Sequence, residues 1–100
     1  MRQPLSDLEI RRALAALSGW SRRGETLVKT FTMRTFPEAI AFVARVADAA
    51  ERANHHPDID IRYTKLVFTL STHDAGGITQ KDLDLAGEIE RLKDGEGKQG

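Results

Sequence analysis

Apolar residues recur along this chain at two different periods. Near residues 7, 36 and 81 they return every three or four positions: Ile10, Leu14 and Leu17; then Phe42, Val43, Val46 and Ala50; then Leu85, Ile89 and Leu92. That spacing predicts helices over Asp7–Leu17, Phe36–Ala53 and Lys81–Leu92. Each start carries a hydroxyl three residues before a carboxylate: Ser6 with Glu9, Thr35 with Glu38, Thr79 with Asp82. In this capping-box spacing each side chain satisfies a backbone N–H that the first helical turn leaves unpaired, the shorter aspartate giving the weaker version. Gly19 and Asn54 are the corresponding stops. The second helix is apolar on more than one side, through Ile40, Phe42, Val43, Val46, Ala47 and Ala50, which predicts cover from its sheet and from a neighbour.

Elsewhere the period is two. Trp20 to Met33 reads as a hairpin turning at Gly24-Glu25. A second pair, Ile59 to Tyr63 and Leu66 to Thr72, turns near Thr64-Lys65. Leu66, Phe68 and Leu70 suit a helix-covered face, and Val67, Thr69 and Ser71 an open one, with His73 continuing on the open side. The order α-β-β-α-β-β-α predicts an α+β fold, a four-stranded antiparallel sheet with three helices on one face. Residues 1–93 form one domain, and the polar, glycine-rich 94–100 is expected to be a flexible tail.

Composition narrows the partners. One hundred residues, 40% of them hydrophobic, supply a single modest core, so self-association is a reasonable source of added stability. Fifteen basic and fifteen acidic residues cancel without any long single-sign block, which argues against a nucleic-acid backbone or an anionic membrane as the main partner. The absence of cysteine excludes disulfides, zinc-thiolate sites and thiol nucleophiles. MRQPLSDLEI lacks the apolar run of a signal peptide, and no apolar stretch approaches membrane-spanning length, so a cytoplasmic protein is expected.

The chemistry gathers around three histidines. His55 and His56 stand between Asn54 and Pro57, and the proline forces His56 out of helical geometry. They therefore occupy a helix-to-strand corner, where side chains are presented rather than buried. The turn of the second strand pair folds His73 back towards them. Glu51 lies four residues before His55 and shares its face if the helix extends that far; a carboxylate beside an imidazole fixes its tautomer and favours its protonated form. Histidine exchanges protons near neutral pH unaided, which suits general acid–base work. Each residue has a plainer reading. His55 can complement a helix C-terminus, Asp82 can be only the cap partner of Thr79, Trp20 can be core, and Gly76-Gly77 can serve a turn. A metal site is the rival chemistry, with Glu51, Asp74 or Asp82 as further ligands. Adjacent residues in an extended segment point apart, however, and neither HExxH nor HxH spacing is present.

Taken together, Glu51-x-x-x-His55-His56-Pro57, Tyr63, Leu70-Ser71-Thr72-His73-Asp74-x-Gly76-Gly77-Ile78-Thr79, Asp82 and Leu85-Ala86 closely resemble the pterin-4a-carbinolamine dehydratases. The likeness runs from Leu17-Ser18-Gly19-Trp20 through the third helix, and NHHP with THDxGG at this separation is far more specific than any lone histidine. Ile59 and Ile61 depart from the family, standing where an aromatic and an asparagine are frequent. The resemblance implies four antiparallel strands backed by three helices, with dimers joined at a sheet edge and often paired into tetramers through the 36–53 helix. It implies loss of water from a 4a-hydroxytetrahydropterin to give the quinonoid dihydropterin, supporting pterin recycling, with no cofactor beyond the pterin substrate and no metal. By the same likeness His55 and His73 transfer protons, His56 joins them while mainly holding the pterin, and Glu51 orients a histidine. Asp82, Trp20 and Thr72 are expected at the substrate pocket. The alternatives within the family are a noncatalytic pterin-binding protein, a dimerisation cofactor of a transcription factor, and a role in molybdopterin metabolism.

Overall fold

The computed structural model describes residues 3–97. Helix α1 (Asp7–Leu14) leads into strands β1 (Ser21–Arg23) and β2 (Thr26–Thr32). Helix α2 (Phe36–Ala53), strands β3 (Asp58–Arg62) and β4 (Lys65–Leu70), a 3-10 turn (His73–Ala75) and helix α3 (Gln80–Gly97) follow. The strands form one four-stranded antiparallel sheet, as predicted, and their order across it is β1-β2-β4-β3.

The three helix starts resolve differently. Ser6 and Glu9 form the complete reciprocal box, and the Ser6 backbone N–H holds the Glu9 carboxyl below its usual range. At α2 the Thr35 hydroxyl accepts the Glu38 N–H at 3.1 Å. The Glu38 carboxylate turns instead to the Arg34 guanidinium, which lowers its pKa. At α3 the Asp82 carboxylate takes the Thr79 N–H at 2.9 Å, while the Thr79 hydroxyl accepts from Lys81 N–H. Only the first start therefore uses both halves of the expected exchange.

Helix α2 has the predicted bounds, ending where Asn54 takes the left-handed conformation at φ 50°. Its inner side, Ala39, Phe42, Val46, Ala49 and Ala50, is buried on this chain, but Phe36 and Ile40 remain exposed. Helix α1 is shorter than predicted, giving way to turns in which Ala16 and Leu17 N–H groups reach back only three residues. Helix α3 runs longer, through Gly97 rather than Leu92. Gly95 costs a helix only about 1 kcal/mol, has no left-handed φ to end the turn, and no proline follows. Of the expected tail, 94–97 is thus helical, and 98–100 lies outside the described residues.

The second hairpin turns one residue earlier than expected, at Tyr63-Thr64, because Arg62 pairs with Lys65. Register explains the shift. Pairing Ile59 with Phe68 and Ile61 with Leu66 keeps the isoleucines on the helix side, and a one-residue slip would turn both outward. Tyr63 consequently adopts φ 56°, a conformation that costs a side-chain-bearing residue roughly 1–2 kcal/mol. Its ring stacks on Phe36 at 6.4 Å.

The core lies between the sheet and the helices. Leu27, Leu66, Phe68 and Leu70 are fully covered from the sheet side, Phe42 and Val46 from α2, and Leu85 and Ile89 from α3. Phe68 meets Phe31 and Phe42 edge-on, with centroids 5.6 and 5.9 Å away. Such pairs add about 0.5–1.5 kcal/mol each beyond the area they bury. No helix among the described residues is long and apolar enough to cross a membrane.

Candidate active site

The β3–β4 register creates the site. Asp58 at the start of β3 pairs with Thr69 near the end of β4. Residues just before β3 and just after β4 therefore emerge at the same end of the sheet. A cleft of ≈ 490 Å³ opens there, lined by Asn54, His55, His56, Ser71, Thr72, His73, Asp74 and Lys81. All three histidines share it. The left-handed Asn54 and the extended entry into Pro57 deliver the first two, and a Thr72–Gly77 bridge followed by the 3-10 turn interrupts the β4 alternation and delivers the third.

The two neighbouring histidines have different supports. The His56 imidazole is hydrogen-bonded through Nε2 to Glu51 Oε2, an exposed pair. His55 Nε2 lies 2.5 Å from Asp82 Oδ1, with the His55 side chain 10% exposed and Asp82 wholly buried. Glu51 was expected beside His55 if the helix extended that far. It does not: α2 stops at Ala53, and the left-handed turn at Asn54 breaks the four-residue spacing. Glu51 therefore meets His56, and His55 is held from α3.

Asp82 is wholly buried, and both of its oxygens are engaged within the protein. Its Oδ2 accepts from Thr72 Oγ1 at 2.8 Å and from the Thr79 N–H at 2.9 Å, while Oδ1 faces His55. Thr72 borders the cleft but is 2% exposed, with its hydroxyl directed to Asp82 and Thr79. The cap reading of Asp82 holds through the Thr79 N–H, and the same carboxylate also faces His55.

Trp20, expected at the pocket, is not among the lining residues. It is buried, its ring edge-on to Phe31 at 6.4 Å and its indole N–H donating to Glu90 Oε2 at 2.8 Å. Lys29 Nζ shares that carboxylate at 2.6 Å and also donates to the Ser18 carbonyl. At Gly19 (φ 86°) the left-handed backbone favours glycine; an added Cβ would sit 2.7 Å from Lys29 Cε, the far end of a flexible chain that could move aside. Lys81, which lines the cleft, was missed as a site residue; its signal was positional, one residue before Asp82 in the first turn of α3. Among the described residues no three histidine or acidic side chains form a group able to hold a metal ion.

Three comparisons bear on this cleft. The family model described as pterin 4 alpha carbinolamine dehydratase matches residues 3–92. This chain belongs to that family. A pterin-4-alpha-carbinolamine dehydratase relative from Roseiflexus sp. (strain RS-1) is 57% identical over 88 residues, covering 88% of this chain and 95% of its own. One from Nostoc sp. (strain PCC 7120 / SAG 25.82 / UTEX 2576) is 51% identical over 92 residues, covering 92% of this chain and 99% of its own. A crystal structure of a transcriptional coactivator/pterin dehydratase from Brucella melitensis superposes with a TM-score of 0.87 at 32% identity, covering 90% of this chain and 98% of that one. Carbinolamine-dehydratase membership accounts for the sheet with its helices on one side.

Proposed function

We propose that the cleft binds a 4a-hydroxytetrahydropterin and removes water from it by acid–base catalysis. The observation that carries this reading is that imidazoles from two distant chain segments line one cleft sized for a bicyclic heterocycle. In the reaction the C4a–O bond breaks and the departing oxygen takes a proton from one imidazole. The N5–H proton passes to a second, and the electron pair left on nitrogen closes the C4a=N5 bond. Products are water and the quinonoid dihydropterin; through solvent the imidazole that gave a proton regains one and the imidazole that took one releases it, which restores the starting state. His55 and His73 are the proton carriers in this reading. His56, braced by Glu51, holds the ring, and a positioned acid or base of this kind contributes about 10²–10⁴-fold in rate. The test is ultraviolet absorbance of synthetic 4a-hydroxytetrahydropterin with catalytic amounts of the protein. Faster appearance of quinonoid product than in buffer is expected, and no acceleration would remove the assignment.

We further propose that copies of this chain associate through the β3 edge and α2. Phe36, Ile40, Ile61 and Tyr63 are large, exposed and apolar there, and a second copy would cover them. Sedimentation at micromolar concentration should show a dimer or tetramer; a monomer contradicts the contact.

A further inference from the structure

Proton counting along the buried groups beside the cleft fixes more than the hydrogen bonds show singly. A hydroxyl has one hydrogen, and a carboxylate only accepts. Thr72 donates its hydrogen to Asp82 Oδ2, so at the 2.7 Å Thr72–Thr79 contact Thr79 must be the donor. The Thr79 oxygen then accepts from the Lys81 N–H at 3.3 Å. The chain runs one way: Thr79 to Thr72 to Asp82. With Oδ2 engaged by Thr72 and the Thr79 N–H, Asp82 turns Oδ1 to His55, and the imidazole nitrogen facing it, Nε2, must carry the hydrogen. The other nitrogen, Nδ1, has no hydrogen-bond partner among the described residues. Since no buried side-chain nitrogen or oxygen there lacks a partner, Nδ1 reaches solvent.

We propose that Thr79, Thr72 and Asp82 are positioning residues that lock His55 in its Nε2–H form and make Nδ1 the atom that exchanges protons with substrate. The proposal rests on the reading of His55 as a proton carrier. It assigns Thr72 and Asp82 a role behind the imidazole rather than against the pterin. Their arrangement suits that role, because hydroxyls in series polarise one another in a low-dielectric interior and hold the carboxylate in one rotamer. It also costs the imidazole no freedom at the moment of reaction, the partner being already in place.

Two measurements test it. Nitrogen-15 NMR of the histidine rings in the intact protein should show neutral His55 with the hydrogen on Nε2, slow to exchange with solvent; a hydrogen on Nδ1 overturns the proposal. Thr72→Val keeps the shape and removes the donor. It should speed exchange of the His55 Nε2–H and lower kcat about tenfold, or 1.4 kcal/mol, with KM nearly unchanged. Thr72→Ser should restore both. A higher KM at unchanged kcat would instead place Thr72 against the substrate and overturn the positioning role. Should Thr72→Val fail to fold, the wild-type ring spectrum and Thr72→Ser still decide. Absence of turnover by the wild type would remove the dehydratase reading alone, since the ring spectrum judges the hydroxyl chain without substrate.

Discussion

Replacing His73 with alanine is expected to slow carbinolamine dehydration by at least tenfold, and by about 10²–10⁴-fold if its full general acid–base contribution is lost. His73 is exposed and its side chain makes no hydrogen bond or ion pair among the described residues, so the folded state should be unaffected and the loss purely chemical. His55→Ala should lose as much rate and some stability too. It leaves Asp82 Oδ1 buried without a donor, at a cost of about 1–3 kcal/mol. The two variants therefore separate by their urea midpoints while agreeing in rate. Removing both histidines should cost less than the product of the single losses, because acid and base act in one step. Unchanged kcat in both single variants would end the proposed roles, whatever the pterin affinity.

The largest effect on stability is expected at Phe68. Its side chain is fully buried and touches Phe31 and Phe42 edge-on, so Phe68→Ala loses transfer free energy and two aromatic contacts and leaves a cavity. The cost is about 3–5 kcal/mol, set against a total of about 5–15 kcal/mol for a domain of ordinary stability. Urea denaturation should show a much lower midpoint at an unchanged slope. Phe68→Leu, which keeps most of the volume, should lose far less. A loss below about 1 kcal/mol for Phe68→Ala would mean that the core collapses around the site or is not packed as described.

How far the sequence was legible depended on whether a signal was local. The α2 bounds followed from Thr35 and Asn54, each acting within a turn of a helix end. The sheet faces followed from strict alternation in β4, where Leu66, Phe68 and Leu70 are all buried. Tyr63 was harder. Nothing in a tyrosine announces a left-handed turn, and only the cross-strand pairing of Ile59 and Ile61 put it there. In the site, the meeting of His55 and His56 with His73 was readable from their positions on either side of one hairpin. The partner of His55 was not. The choice between Glu51 and Asp82 depends on the rotation of the chain at Asn54 and on where α3 docks, and both are tertiary facts. Trp20 illustrates the converse, since family likeness placed it at the pocket while its own apolar bulk and its bond to Glu90 place it in the core of this chain.

One carboxylate both starts a helix and steadies an imidazole, and this bears on how such a protein changes over descent. A lineage that gave up turnover would be free to discard its exposed histidine, yet discarding Asp82 would still unpair the Thr79 amide and loosen the last helix. Retention of that aspartate in a descendant is thus poor testimony to activity. His73, which the architecture does not need, is the better witness.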